Sequence, residues 1–392
     1  MSDPADPKRF GLYLVAAERS GDLLGGGLIK ALKQSPGYVF NFAGVGGPSM
    51  ADEGVESPFD ISDLSIIGLV EGVKAYNRVI RRVKQTVADI LDKRPDMVVL
   101  IDSWGFTLRV AQRVRKLAPE IKLVKYVGPQ VWATRPGRAR TLAAAVDHLM
   151  SIHSFDAPYF EKAGLPTTFV GNPTFERDVT GDGAAFRQRH GLDANDTVML
   201  TLFGSRPSEL SRMYESFAQT LSEMKALHPE VRHITILAGT IEHTARERLE
   251  QDERLAHLLV VDEDEKRDAF SASDLALACS GTVTTELAMA GVPHLAAYKL
   301  EPVTYFILDT FKVFKAPYIS MVNIAADEEL IGEFLQSAAE PSDLVPALSA
   351  LVSDKERRAN LSRRLIETTD GMRGAGQASE RAARTVIDLL NA

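Results

Sequence analysis

A chain of 392 residues, 45% hydrophobic and 25% charged, has the composition of a soluble globular protein and exceeds one ordinary core, so two domains are expected. A formal net charge of −8 excludes broad nucleic-acid binding, which needs a basic face, and the single cysteine, Cys279, excludes an intramolecular disulfide. No CxxC or HExxH spacing occurs, the start MSDPADPKRF is unlike a signal peptide, and no run approaches the roughly 20 apolar residues that cross a bilayer.

The first strand candidate is the apolar run at 12–17. It ends in Glu18-Arg19-Ser20-Gly21-Asp22, and Gly25, Gly26 and Gly27 then lie in a helical run. This is the opening strand, turn and helix of a doubly wound sheet, whose ligands meet the carboxyl ends of strands. Ser20 and Gly21 suit an anionic group there, and a plain helix cap fits the same letters. A second strand at 39–43 leads into Gly44-Val45-Gly46-Gly47-Pro48. GxGG without a third spaced glycine is a weak dinucleotide signature, and a tight turn or close backbone approach accounts for it.

Residues 63–70, DLSIIGLV, are apolar without strand alternation, and Lys74, Arg78, Arg81, Arg82 and Lys84 follow. An apolar loop beside a basic helix suits a membrane interface or an acyl chain; a buried helix with a solvated basic face is the other reading. The continuous apolar run 97–101 is a buried parallel strand that ends in Asp102. Asp102 is the best-placed candidate base of the first half, or the N-cap of the next helix. Strands at 123–127 and 148–152 flank the loop 128–138, whose Pro, Trp and Arg content is that of a functional loop or of an ordinary packed one.

Residues 177–196 are charged and low in apolar periodicity, which reads as an interdomain connection with a short helix. A second strand series follows at 198–203, 234–237, 258–261, 275–278 and 294–298, so each half is a doubly wound α/β unit. The turn Gly204-Ser205-Arg206 joins a hydroxyl and a planar guanidinium, a set suited to a diphosphate. The run 275–278 stops at Cys279-Ser280-Gly281-Thr282, and a helical pattern carrying Glu286 begins at once. Ser280, Gly281 and Thr282 then form a phosphate seat with Glu286 accepting from sugar hydroxyls, or the segment is a Ser/Thr cap with a surface Glu. Residues 305–322 interleave aromatics with Lys312 and Lys315, as an interfacial surface or an aromatic core helix would, and 361–392 is amphipathic with a break at 371–376.

Taken together, these motifs resemble the lipid A disaccharide synthase family, inverting glycosyltransferases of GT-B type. AERSGDLLGGGLI is similar to the family's GExSGDxLGAxLI, and VLIDSWGFT to its IDxPDF region. GVGGPSMADEG, LSIIGLVEGV, YVGPQVWATRPGRAR, FVGNP, LFGSRPSEL, CSGTVTTELA and YISMVN have counterparts in the same order. Trp104-Gly105 stands where the family has Pro-Asp, Thr134 replaces a tryptophan, Asn172 a histidine, Phe203 a proline, and Ala325-Ala326-Asp327 an Ala-Gly-Arg.

The resemblance implies two facing doubly wound Rossmann-like domains: 1–175 on the acceptor and membrane side, 176–365 for the UDP-sugar, with a helix at 366–392 returning to the first. It implies Asp102 as catalytic base. Donor contacts fall to Ser205, Arg206, Ser280, Gly281, Thr282, Glu286, Tyr298 and Asn323, and acceptor contacts to Glu18, Ser20, Gly21 and Asp22. Ile66, Ile67, Leu69 and Val70 take the membrane or acyl contact. The implied reaction joins UDP-2,3-diacylglucosamine to 2,3-diacylglucosamine 1-phosphate by a β-1,6 bond and releases UDP, with no cofactor and no metal. Peripheral attachment to the cytoplasmic face of a Gram-negative inner membrane follows, with room for a homodimer. A UDP-sugar transferase with another acceptor, a UDP-N-acetylglucosamine 2-epimerase-like isomerase and a non-catalytic nucleotide-sugar or lipid-binding relative are the competing readings.

Overall fold

The structure, a computed structural model, describes residues 6–64, 72–132, 135–279, 281–301 and 317–392. Ile66, Ile67, Leu69, Val70, Thr134, Ser280 and most of the aromatic segment after residue 301 lie outside the described residues. The chain divides into two units, Met1–Thr174 with Met372–Ala392, and Phe175–Gly371. The breaks fall at 174/175 and 371/372, against expected positions of 175/176 and 365/366.

The first unit is a six-stranded parallel sheet in the order β2-β1-β3-β4-β5-β6. Its strands are β1 Lys8–Ala16, β2 Tyr38–Val45, β3 Met97–Ile101, β4 Lys122–Tyr126, β5 His148–Ser151 and β6 Thr167–Phe169. All five residues of β3 are buried, as a strand covered on both faces requires, which is why its sequence runs apolar rather than alternating. Ala16 pairs with Ile101, and Ile101 with Tyr126. That register brings the segments after β1, β3 and β4 out at one carboxyl edge.

The glycines near the start serve packing. A Cβ at Gly25 would lie 2.6 Å from Met50 Sδ, and one at Gly44 would lie 2.1 Å from the Leu14 carbonyl oxygen. The dinucleotide reading of 44–48 is thereby replaced by close approach of backbone to backbone. At the other end of the chain, the helices Lys355–Arg373 and Ala378–Asn391 are separated by Gly374 and Gly376, both at positive φ. Ala382, Ala383 and Val386 of the last helix enter the first unit's core, and Arg381 Nε donates to the Val170 carbonyl oxygen at 2.7 Å.

The second unit repeats the plan in the order β12-β11-β10-β7-β8-β9. The strands are β7 Val198–Leu202, β8 Arg232–Ile236, β9 Leu259–Val261, β10 Leu275–Cys279, β11 His294–Tyr298 and β12 Gly332–Leu335. Leu202 pairs with Ala278, so the turns after β7 and β10 emerge side by side. The edge strands β6 and β12, of 3 and 4 half-buried residues, carry no long apolar run and were not expected from the sequence.

Candidate functional site

In the first unit the site is a strained turn. Asp102 and Ser103 adopt φ of +48° and +39°, a region non-glycine residues enter at a cost of about 1–3 kcal/mol each. The surrounding atoms hold it there. Asp102 N–H donates to the Tyr126 carbonyl oxygen at 2.9 Å. The Thr107 hydroxyl lies 2.8 Å from the Asp102 carbonyl oxygen and 2.9 Å from that of Ser103. Lys125 Nζ donates to the same Asp102 carbonyl oxygen and, at 2.8 Å, to Thr107 Oγ1. With its main chain fixed from below, Asp102 turns its carboxylate to Ser20, whose hydroxyl donates to Oδ2 at 3.2 Å.

In this unit, sequence reasoning missed Lys125. It is 2% exposed, and burial pushes its ammonium down to about 7, against the pull of the Asp102 charge. The available signal was a lysine inside an otherwise apolar strand, since a fully buried lysine is rare unless it has a task.

Glu18 and Ser20 are exposed at the start of the helix Arg19–Lys33, and Glu18 makes no side-chain cap bond. Gly21 is buried, where a Cβ would meet Ala16 and the Ile101 carbonyl oxygen at an ordinary 3.5 Å. Asp22 requires a correction. Its carboxylate is 1% exposed and accepts from the N–H groups of Gly47 at 2.8 Å, Ser49 at 2.9 Å and Met50 at 3.1 Å. It holds the glycine turn against the first helix and has no reach toward an acceptor sugar.

In the second unit a cavity of about 270 Å³ opens at the carboxyl ends of β7 and β10. Ser205, Arg206, Gly281, Thr282, Glu286 and Tyr298 all line it, so six of the eight expected donor residues come together. Ser280 lies outside the described residues. Asn323 is the second correction: it is fully buried, with Nδ2 donating to Ile331 O at 2.7 Å and Glu333 Oε1 at 2.9 Å. Its Oδ1 accepts from the N–H groups of Leu330 and Ile331, both at 2.9 Å. Every polar atom of its amide is used inside the fold, so it shapes the approach to β12.

The turn after β7 differs from a backbone anion nest. The N–H groups of Ser205 and Arg206 both donate to Glu209 Oε2, at 2.9 Å and 3.2 Å. Gly204 has φ +102°, and a Cβ there would lie 2.8 Å from the Glu209 carboxylate, so glycine is required. What remains for a ligand is the Ser205 hydroxyl and the Arg206 guanidinium, the latter 74% exposed and 3.3 Å from Glu209 Oε1.

Beside it, the helix Thr282–Met289 opens toward the cavity; the Thr284 N–H is taken by the Gly281 carbonyl oxygen at 3.2 Å, which leaves those of Thr282 and Val283, in the cavity wall, as the first-turn groups a helix cannot satisfy internally. Glu286, one turn in, pairs with Lys266 Nζ and lies 3.5 Å from Arg177 Nη1. A carboxylate offers about four lone-pair directions, so these two cations leave it capacity to accept from a ligand's hydroxyls. Lys266, 20 residues earlier and also in the cavity wall, was invisible to any local motif. Cys279 closes the floor; burial, and then the Glu209 charge, push its thiol up to about 12, which makes it a packing atom. Among the described residues no group of three or more His, Cys, Asp or Glu side chains is placed to hold a metal ion, and no helix is long and apolar enough to cross a membrane.

The lipid-A-disaccharide synthetase family matches residues 12–386. The chain belongs to that family. It is 39% identical over 384 residues to the lipid-A-disaccharide synthase of Rhodospirillum centenum, covering 97% of this chain and 94% of the relative. It is 40% identical over 384 residues to that of Paramagnetospirillum magneticum, covering 97% of each. Among solved structures, a UDP complex of Staphylococcus aureus MnaA superposes with a TM-score of 0.56 at 12% identity, covering 97% of both chains. The glycotransferase of kitacinnamycin does so with 0.57 at 16% identity, covering 97% of this chain and 99% of that one. These two show the fold alone.

As a member of the synthetase family the chain is a glycosyltransferase, and the epimerase-like isomerase falls behind that reading. Two of its departures from the family pattern are structural. Phe203 is buried and stacked on Tyr214, ring centroids 5.7 Å apart. Asn172 is buried, and its Oδ1 accepts from the Thr174 N–H at 3.0 Å.

Proposed function

We propose that this synthetase condenses UDP-2,3-diacylglucosamine with 2,3-diacylglucosamine 1-phosphate, forming the β-1,6 bond and releasing UDP. The observation that carries the proposal is the convergence of Ser205, Arg206, Gly281, Thr282, Glu286 and Tyr298 on one cavity in a chain of this family. In the reaction the acceptor's 6-hydroxyl oxygen forms a bond to the anomeric carbon of the donor. The bond from that carbon to the diphosphate oxygen breaks, and the hydroxyl proton goes to the Asp102 carboxylate. One displacement inverts the anomeric centre.

The leaving diphosphate gathers negative charge as the bond breaks. Arg206, the Ser205 hydroxyl, Lys266 and the opening N–H groups of the helix Thr282–Met289 are its stabilisers, and they meet that charge without a metal ion. Glu286 orients a sugar's hydroxyls. On the acceptor side Ser20 steers the Asp102 carboxylate, and Glu18 is a second contact. Peripheral attachment at the cytoplasmic face of the inner membrane completes the reading; the exposed Arg81 and Lys84 of the helix Gly72–Lys93 support it as partners for anionic headgroups.

The test is incubation of the purified protein with both diacylated substrates and direct measurement of the product mass. A disaccharide 1-phosphate with stoichiometric UDP is the expected result. UDP released only with some other acceptor supports the relative with altered specificity, and no disaccharide with any acceptor overturns the transferase reading.

A further inference from the structure

Trp104, Arg135 and Arg138 have no part in the roles above. The Arg138 guanidinium lies over the Trp104 indole, its Cζ 5.0 Å from the ring centroid. Arg135 is one turn away, and its carbonyl oxygen accepts from the Arg138 N–H at 3.0 Å. Its backbone sits at φ +50°, a strained conformation for a residue that precedes a proline. Partial burial, and then the Arg135 charge, hold the Arg138 guanidinium below its ordinary value, so the two cations feel each other. Among the described residues neither has a carboxylate partner within salt-bridge distance. That is a conspicuous arrangement in a chain with 53 acidic and 45 basic residues.

Two neighbouring guanidiniums without an acid repel each other, and a phosphate dianion removes the repulsion while accepting from both planar forks. The indole holds one fork by its face, which leaves the in-plane donors for a ligand. The position is equally specific. Trp104 opens its helix two residues after Asp102, Arg135 lies in the loop after β4, which pairs with β3, and Arg138 opens the helix Arg138–Ala143 that follows that loop. In a hexopyranose 1-phosphate, C1 and C5, the carbon that carries the 6-hydroxymethyl group, are both bonded to the ring oxygen, so the anomeric phosphate and the 6-hydroxyl lie on the same side of the ring. A phosphate seat must therefore lie close to the base, on the same edge of the sheet.

We propose that Arg135 and Arg138, with Trp104 as their platform, bind the anomeric phosphate of the acceptor and thereby select a sugar 1-phosphate over a free sugar. The inference rests on the transferase reading given above. It also assigns a task to Trp104, which stands where the family pattern has proline.

The kinetic test compares the diacylated acceptor bearing a 1-phosphate with the same acceptor bearing a 1-hydroxyl, in neutral detergent micelles. Arg138→Gln and Arg135→Gln are each expected to raise KM for the phosphorylated acceptor by about ten- to hundredfold, with donor KM unchanged and the slow reaction of the 1-hydroxyl acceptor untouched. An equal effect on both acceptors, or a wild-type enzyme that does not distinguish them, overturns the proposal. A phospholipid headgroup offers the same phosphate chemistry, so co-sedimentation with phosphatidylglycerol vesicles forms the second arm. Loss of vesicle binding with unchanged acceptor KM assigns the pair to the headgroup and likewise overturns the proposal.

A third measurement does not depend on turnover. Trp104 is one of only 2 tryptophans, so glucosamine 1-phosphate, but not glucosamine, should change tryptophan emission saturably in wild type and not in Arg138→Gln. A wild-type protein that makes no disaccharide counts against the transferase reading, while this titration still decides the phosphate seat. No response to glucosamine 1-phosphate in wild type rejects the seat.

Discussion

At the carboxyl edge of β3 a buried cation, Lys125, holds a carbonyl oxygen; at the carboxyl edge of β7 a buried anion, Glu209, holds two N–H groups. Each turn presents a side chain to which the proposed reaction assigns a role, Asp102 in one and Arg206 in the other. They reach the left-handed backbone region by different means. The first uses non-glycine residues, Asp102 and Ser103, and the strain is offset by bonds from Lys125 and Thr107. The second uses Gly204, which enters that region at little cost. On the proposed reading, the carboxylate that takes a proton sits on the braced turn and the guanidinium that meets the leaving diphosphate on the relaxed one.

The largest effect is expected from the Asp102 carboxylate itself. Asp102→Asn keeps shape and removes the base, so turnover should fall by about a hundred- to ten-thousandfold while UDP affinity in the second unit stays within twofold. Disaccharide synthesis at near wild-type rate would take the base role away from Asp102.

The next largest effect is expected from the brace. Lys125→Met fills the same volume and releases the Asp102 carbonyl oxygen, and a shift of the carboxylate by a fraction of an ångström lowers kcat by about ten- to hundredfold. UDP affinity should not move. The same residue gives a pH signature of definite sign. Folded Lys125 loses its proton near 7, whereas the unfolded value is 10.5. Between these values the unfolded chain holds the extra proton, so stability rises with pH, by up to about 1.4 kcal/mol per unit; below 7 the penalty of the buried charge is complete. Urea midpoints at pH 7 and pH 9 should show the rise in wild type and a flatter response in Lys125→Met. The Cys279 thiol, pushed up to about 12, acts in the opposite sense only as pH passes 9. Identical slopes in the two proteins contradict the assignment.

These two turns also show how far sequence reasoning reached. The apolar runs of β3, β7 and β10 are continuous because parallel strands are covered on both faces, so the strands and the residues that end them were legible: Asp102, Gly204 and the segment before Thr282. Glu209 and Lys266 were not, because each acts through a partner brought close by folding and belongs to no local pattern; Lys125 interrupts an apolar run, but what it holds is visible only in the fold. Lys125 meets residue 102 from the neighbouring strand, and Lys266 meets Glu286 from another helix. Asp22 and Asn323 mislead for the complementary reason. Polar residues inside a motif read as ligand contacts, yet the backbone and Glu333 have already taken every bond that Asn323 offers, and three N–H groups fix Asp22. Burial decides between the two meanings, and burial is a property of the fold.

On the relaxed turn the expected effects are smaller. Glu209→Ala leaves the Ser205 and Arg206 N–H groups without their acceptor at a site that is 7% exposed, which should cost about 1–3 kcal/mol of stability in urea unfolding. An unchanged midpoint would show that water replaces the carboxylate. UDP binding should weaken as well, because the turn loses its geometry.

Arg206→Ala separates geometry from charge. The guanidinium is 74% exposed and its pair with Glu209 is open to solvent, so its loss should leave stability within about 0.5 kcal/mol. Glu209 Oε2 would still hold both N–H groups, and the backbone of the turn would keep its shape. Any weakening of UDP then reports the cation alone. An exposed charge meeting a diphosphate is screened by solvent, so we expect about five- to tenfold, measured by calorimetric titration at low salt and shrinking as salt is added. An affinity that does not move, or moves without salt dependence, would place the diphosphate away from Arg206 and leave Lys266 and the helix Thr282–Met289 as its seat.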